Sequence, residues 1–216
     1  MNNIKLTVGI PTLPNRTRMY LEPLYAKLMN QIGNEKDIEV LAIMDNKVMS
    51  IGRKRTLLFL AAQGEYTCII DDDDDVTDDF VSTLRSTITK DLNVDVICYD
   101  QEANMNGRIW TVKTSLDYNQ VHPFDQMETD QNGNAIPCKR PPWHWCAWNT
   151  KFARQFPFGD SNYNEDAVFV MNAIKKAKTQ VVLDKTICKY RWCPAISHAP
   201  FKAISAQEVP LVKNII

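Results

Sequence analysis

The chain has 216 residues, 25 Lys and Arg against 26 Asp and Glu, 44% hydrophobic residues and 9% aromatics. That composition supplies a core for one domain and excludes a disordered chain, a collagen-like or low-complexity chain, and a uniformly basic nucleic-acid coat. No apolar run approaches the ~20 residues of a membrane span, and the start MNNIKLTVGIPTLPNR lacks the charged and apolar regions of an export leader, so a cytoplasmic protein with reduced thiols is expected.

In chain order, Ile4 to Ile10, Ile38 to Met44, Tyr66 to Ile70 and Val94 to Tyr99 are short, apolar and β-branched, which predicts buried strands. Between them Arg18 to Gln31, Ser50 to Gln63 and Asp78 to Lys90 carry helical spacing. Ser50 is the expected N-cap and Gly64 the expected C-cap of the second helix; Thr77 is the expected N-cap of the third, with Asp78 and Asp79 in its first turn. Strand and helix in alternation predict an α/β fold, a mostly parallel sheet with helices on both faces and ligands beyond the carboxyl ends of its strands. After Asp100 the rhythm changes: an Asn106-Gly107 hairpin turn, a polar stretch from Tyr118 to Pro142, an aromatic run, a helix from about Glu165 to Ala177, and strand-like runs at Val181 to Leu183 and Ile187 to Trp192. No repeat or linker interrupts the chain, so residues 1–216 are expected to form one domain. The six cysteines contain no C-x-x-C pair, and Cys138, His144, Cys146, Cys188 and Cys193 fit no usual zinc spacing.

Two charge anomalies point to chemistry. Five consecutive aspartates, Asp71 to Asp75, follow the third strand directly, at the edge where α/β sheets bind ligands. Such a run is either a solvated loop or a set of mutually repelling carboxylates that a hard divalent cation, Mn²⁺ or Mg²⁺, would relieve. Arg53, Lys54 and Arg55 stand in the first turn of the second helix, where cations are disfavoured. Either they point into water or a phosphate or diphosphate at the helix N-terminus completes the site.

GIPTLPNR at Gly9 to Arg16, LAIMDN with Asp45, GRKRTLLFLAAQGEY at Gly52 to Tyr66 and IIDDDDDVTDDF at Ile69 to Phe80 resemble, in order and spacing, the donor-site motifs of family-2-like glycosyltransferases of the GT-A fold. The resemblance covers roughly the first half of the chain. It implies a GT-A-type Rossmann-like sheet with a nucleotide-sugar-binding half (1–100) and an irregular acceptor-binding half (101–216). It also implies a metal-dependent, inverting hexosyl- or pentosyltransferase using a nucleoside-diphosphate sugar, UDP-linked by preference. Pro11, Thr12 and Asp45 would then hold the nucleobase with Asn15 beside them, and Lys54 and Arg55 would contact the donor or its diphosphate. Asp71 and Asp73 match the D-x-D, Asp73 as metal ligand and Asp71 nearer the ribose, with Asp72 on the donor side. Thr56 stands where the family has Asn.

NYNEDAVFVMNAI at Asn162 to Ile174 resembles the family's Glu-Asp motif, which makes Asp166 the expected base and sets Glu165 beside it toward the acceptor. KYRWCPAISH at Lys189 to His198 resembles its late Tyr-Arg-x-His segment, but Cys193 replaces that histidine, leaving His198 as the expected metal ligand. The Gln-x-x-Arg-Trp signature of processive members is absent, which implies single addition. Trp143, His144, Trp145 and Trp148 are either core or an aromatic acceptor wall. By segment, residues 1–70 carry 9 basic and 6 acidic side chains, 71–135 carry 4 and 15, and 136–216 carry 12 and 5. The basic last segment suggests an anionic acceptor, an acidic saccharide or a hydroxymethylated DNA base, with Lys139, Arg140, Lys151 and Arg154 as phosphate contacts, unless those charges are simply solvated. A nucleotide-sugar-binding protein without catalysis and a nucleotidyltransferase with the same acidic metal site are the competing readings.

Overall fold

Strand β1 (Leu6–Thr12) is buried at all seven positions, as a strand covered on both faces must be. It is the centre of a parallel triplet, flanked by β2 (Ile38–Met44) and β3 (Tyr66–Ile69), with Val8 opposite Val40 on one side and Cys68 on the other. The computed structural model describes residues 4–105, 107–118, 128–192 and 211–213. Helix α1 (Glu22–Ile32) connects β1 to β2, and α2 (Ile51–Ala61) carries the chain back across β1 to β3. This reversal of direction, with right-handed crossovers, sends the two helices to opposite faces and opens a crevice at the carboxyl ends of β1 and β3. Accordingly α1 packs with α3 (Phe80–Thr87), whereas α2 packs with α5 (Glu165–Ala173).

The remaining strands extend the sheet. After β4 (Asp75–Val76) and α3, the chain forms β5 (Val96–Met105), which runs in the direction of β3 but is separated from it by the antiparallel β8 (Ala147–Asn149). Strands β5 and β6 (Arg108–Thr114) form the expected hairpin, Met105 opposite Arg108, with Gly107 at φ 84°. Asn106 lies outside the described residues. Within the polar stretch, β7 (Cys138–Arg140) adds to β6, and α4 (Thr150–Ala153) follows β8. The two late strand-like runs are one strand, β9 (Gln180–Trp192), parallel to β5 with a bulge near Asp100 and antiparallel to β4. Strand β10 (Leu211–Lys213) borders β2 in antiparallel register.

Several boundaries differ from expectation for local reasons. A 3₁₀ turn (Pro14–Arg16) and a π-type turn (Thr17–Leu21) precede α1, replacing the first part of the expected helix. Asp79, not Thr77, is the N-cap of α3, and no acid lies in its first turn. Thr77 instead donates its hydroxyl to Asp79. Helix α5 stops at Ala173. Gly64 is not the C-cap of α2, a position held by Ala62 in extended geometry. Its role is close approach: its N–H donates to Thr7 Oγ1 at 2.9 Å, and a Cβ there would lie 2.5 Å from the Thr7 nitrogen. Because that obstacle is backbone of the central strand, Gly64→Ala is expected to destabilise the fold by about 1–3 kcal/mol. Urea unfolding should show a lower midpoint with an unchanged slope.

Candidate active site

Loops at the carboxyl ends of the parallel triplet enclose a cleft of about 470 Å³. The end of β1 contributes Pro11 and Thr12, and the turn after it Asn15 and Arg16; the segment after β2 contributes Lys47 and Met49. Asp71, Asp72 and Asp73 enter from the end of β3, Lys54 and Arg55 from α2, and Glu165 from the start of α5. The structure thus brings together most of the expected donor residues at the crevice the topology creates.

The acidic run opens with a tight turn, Asp74 N donating to the Asp71 carbonyl at 3.0 Å, and its side chains alternate in burial. Asp72 and Asp74 are buried, while Asp71, Asp73 and Asp75 are half-buried. Each has a partner from elsewhere in the sequence. Arg55 Nη2 donates to both oxygens of Asp71 at 2.8 and 2.6 Å. Arg16 grips Asp72 through Nε and Nη2 and reaches Asp73 Oδ2 at 2.8 Å. Asp74 accepts the backbone N–H of Arg191 at 3.0 Å, and Asp75 pairs with Lys27 and Arg191. Repulsion still outweighs these contacts at two positions: burial, then the charge of Asp71, raises the carboxyl of Asp73 and raises that of Asp74 further.

The cations of α2 are explained differently from expectation. Lys54 and Arg55 are only 3% and 4% exposed, so they neither point into water nor wait for an anion. Lys54 pairs with Asp45 and donates to the Thr12 carbonyl at 2.9 Å. Arg55 pairs with Glu165 Oε1 at 2.5 Å as well as with Asp71, and these carboxylates hold its guanidinium protonated against the cost of burial. The N-terminus of α2 is equally committed. Ser50 Oγ caps Arg53 N as expected, Ile51 N donates to Asn162 Oδ1, and Gly52 N donates to the Ser161 carbonyl. An anion at that helix end would have to displace these acceptors, which corrects the diphosphate reading of this turn.

Asp45 is a second correction. Its side chain is fully buried behind the cleft, Oδ2 accepting the backbone N–H groups of Val48 and Met49 and Oδ1 facing Lys54. It shapes the loop after β2 and presents no oxygen to a nucleobase.

Asp166 and Glu165 occupy the first turn of α5, preceded by Asn164 at φ 58°. Asp166 is 27% exposed at its side chain, open on one side. Its Oδ2 accepts Trp143 Nε1 at 2.9 Å and lies 3.9 Å from Arg55 Nη1. Burial pushes its carboxyl up, but Arg55, then His144 and the Trp143 bond, more than offset this and leave it below the ordinary range. Glu165 shifts the other way, because its burial outweighs Arg55. His144 is buried between Asp71, 3.9 Å from Nε2, and Asp166, 4.0 Å from Nδ1. Burial and the neighbouring Arg55 push its pKa well down, so the imidazole is neutral.

The aromatic wall does not survive as a unit. Trp148 is a core residue, stacked on Phe152, edge-on to Phe169 and donating Nε1 to the Trp143 carbonyl. Trp145 is buried against Tyr99. Of the four, Trp143 and His144 are the ones that approach Asp166. Arg154 is also structural, donating to the carbonyls of Phe59 and Ala62 at the end of α2. Arg140 is buried with its guanidinium 4.5 Å from the Trp143 ring, and Lys139 lies over Tyr118. His198 and Cys193 lie outside the described residues; the other five cysteines are free and buried. Sequence reasoning assigned no role to Arg16, Tyr20, Tyr190 or Arg191, all of which line the cleft. Arg16 and the Tyr190-Arg191 pair stand inside the motifs already quoted, a usable signal.

Among the described residues no three His, Cys, Asp or Glu side chains converge on one point. Asp71 and Asp73, two residues apart and 25% and 20% exposed, offer hard oxygen donors to the cleft. This set fits Mg²⁺ or Mn²⁺ held by two carboxylates with the remaining positions filled by phosphate and water.

No protein-family model matches the sequence, and no curated protein matches it either. Solved structures do. S. aureus TarS aligns over 88% of this chain and 37% of its own, with TM-score 0.63 and 18% identity. TarS 1-349 in complex with UDP gives TM-score 0.63 at 19% identity over 88% of this chain and 61% of its own. The same fragment with UDP-GlcNAc gives 0.58 at 18% identity, over 88% and 59%. The chain therefore spans less than two thirds of the length of these structures. The likeness establishes the fold, the GT-A architecture of a mostly parallel sheet flanked by helices.

The site makes a stability prediction. Arg55→Leu leaves Glu165 and Asp71 without their shared cation and is expected to cost about 3–5 kcal/mol. Chemical denaturation of the purified variant checks this, and a loss under about 1 kcal/mol would show that the pairs contribute little.

Proposed function

We propose that the protein is a metal-dependent inverting glycosyltransferase that moves one sugar from a nucleoside-diphosphate sugar, UDP-linked, to an acceptor hydroxyl. One observation carries the reading: a single buried guanidinium, Arg55, joins the cleft carboxylate Asp71 to the pair Glu165 and Asp166, so the donor side and a candidate base are held in fixed relation. That the TarS structures sharing this fold were obtained with UDP and UDP-GlcNAc supports a nucleotide-sugar donor.

In this reading Pro11, Thr12 and Asn15 enclose the nucleoside, with Asp45 and Lys54 shaping the floor from behind. Asp71 and Asp73 would hold Mn²⁺ or Mg²⁺, and such an ion would supply charge stabilisation to a leaving diphosphate. Asp166, ionised at neutral pH and partly open, takes the proton of the acceptor hydroxyl. The acceptor oxygen bonds the anomeric carbon as the bond to the diphosphate oxygen breaks, and this single displacement inverts configuration. Trp143 orients the base through its N–H. The anionic-acceptor idea loses Arg154 and the buried Arg140 and keeps Lys139 and Lys151.

Asp166→Asn should retain UDP binding while lowering transfer about 10²- to 10⁴-fold, measured over a panel of nucleotide sugars with and without Mn²⁺. A binding protein without catalysis would show no transfer in the wild type, and a nucleotidyltransferase would release pyrophosphate in place of a nucleoside diphosphate. The pH profile has a defined sign. Because the carboxyl of Asp166 is lowered, the base is present throughout neutral pH and is lost only as pH falls through a value below the ordinary carboxylate pKa of about 3.9. Trp143→Phe removes the stabilising N–H and should move the acid limb of kcat/KM upward, with the ring and the fold retained.

A further inference from the structure

Arg16 has no role in the scheme above, yet its contacts are among the most specific in the cleft. It closes the short turn after β1, its side chain 19% exposed. Nη2 stands 2.6 Å from Asp72 Oδ1 and 2.8 Å from Asp73 Oδ2, and Nε donates to Asp72 Oδ1 at 2.9 Å. Thr12 Oγ1 donates to the other Asp72 oxygen at 2.6 Å. The ring of Tyr20 lies 4.8 Å from the guanidinium carbon.

These contacts are unequal. Asp72 is 4% exposed at its side chain and gripped by two nitrogens of Arg16, so it is an anchor. Asp73 is 20% exposed and meets one nitrogen, so it is the releasable end. Other cleft cations lack this geometry. Lys54 is buried on Asp45, Arg55 is buried on Asp71 and Glu165, and Arg191 reaches outward to Asp75. A planar cation therefore covers the carboxylate that the glycosyltransferase reading gives to a divalent one, and two cations on one carboxylate oxygen repel. The same guanidinium has a geometry suited to phosphate oxygens.

We infer that Arg16 is the exchangeable counter-ion of the cleft: it neutralises Asp73 when no divalent cation is bound, and it gives that carboxylate up and turns to the donor diphosphate while remaining anchored on Asp72. The inference rests on the reading of Asp71 and Asp73 as cation ligands and deepens it. Its consequence is linkage. Cation binding frees Arg16 for the nucleotide, nucleotide binding draws Arg16 off Asp73, and each must strengthen the other by the same factor.

The test uses the full chain, Mn²⁺ alone and UDP alone, titrated by calorimetry and by manganese electron paramagnetic resonance into wild type and Arg16→Gln. Removing the competing cation should tighten Mn²⁺ alone about three- to tenfold, the return from losing a half-exposed ion pair, and weaken UDP about tenfold. Opposite signs are the signature, since a merely structural role for Arg16 would weaken both. Unchanged or weaker Mn²⁺ binding in a variant whose melting curve remains cooperative overturns the inference. Arg16→Lys keeps a charge without the two-pronged grip and is the fallback if the glutamine variant does not fold. It should tighten Mn²⁺ by less, and a loss of Mn²⁺ affinity there overturns the inference equally. If wild type binds neither Mn²⁺ nor UDP, the nucleotide-sugar reading itself fails, an outcome separate from Arg16→Gln weakening both ligands.

Discussion

A guanidinium 4% exposed in a protein interior is tolerated only with partners, and the partners of Arg55 determine how the halves of the chain meet. It rises from the first turns of α2, on the same stripe as Leu58 and Phe59, which are packed into the core. From there it holds Asp71 at the end of β3 and Glu165 at the start of α5. Moving either carboxylate away would leave a charge buried and unpaired. The geometry of the cleft is therefore fixed by the same requirement that keeps α2 seated on the sheet.

The loop ahead of α5 reinforces this seat. Asp160, Ser161 and Asn162 supply acceptors to the start of α2, and the fit is close enough that a Cβ on Gly52 would lie 1.8 Å from the Gly159 carbonyl oxygen. An anion-binding helix end has been converted into an internal junction. Two links, ionic at Arg55 and backbone at Gly52, tie α5 to α2. They also carry Asp166 to within 3.9 Å of Arg55.

Legibility in the sequence followed what each residue contacts. The parallel triplet was readable because strands buried on both faces are mostly apolar and β-branched, as LTVGIPT and, apart from Glu39, IEVLAIM are. The acidic run was readable because its place after β3 is local information. What one residue does to another far along the chain was not: Asp45 looks available in LAIMDN, and only the fold turns it onto Lys54 and the loop N–H groups. Three tryptophans within six residues look like one feature, but β8 sends Trp148 into the core while Trp143 stays at Asp166. Gly64 reads as a helix stop, and its use, contact with the backbone of β1, depends on a strand 57 residues earlier.

The charge balance shows how far such pairing extends. The near-neutral total conceals an acidic middle, 15 acids against 4 bases over residues 71–135, between basic flanks. In the fold the flanks supply the partners: Arg16, Lys27 and Arg55 from the first, Arg191 from the last, all to carboxylates of Asp71 to Asp75. Matched this closely, the cleft retains little net positive charge with which to attract a diphosphate. Apart from Lys47, which has no carboxylate partner among the described residues, an anionic ligand would meet a cation there by bringing one with it or releasing one from a carboxylate. Asp73 is suited to the exchange, because it is partly exposed and meets a single nitrogen of Arg16.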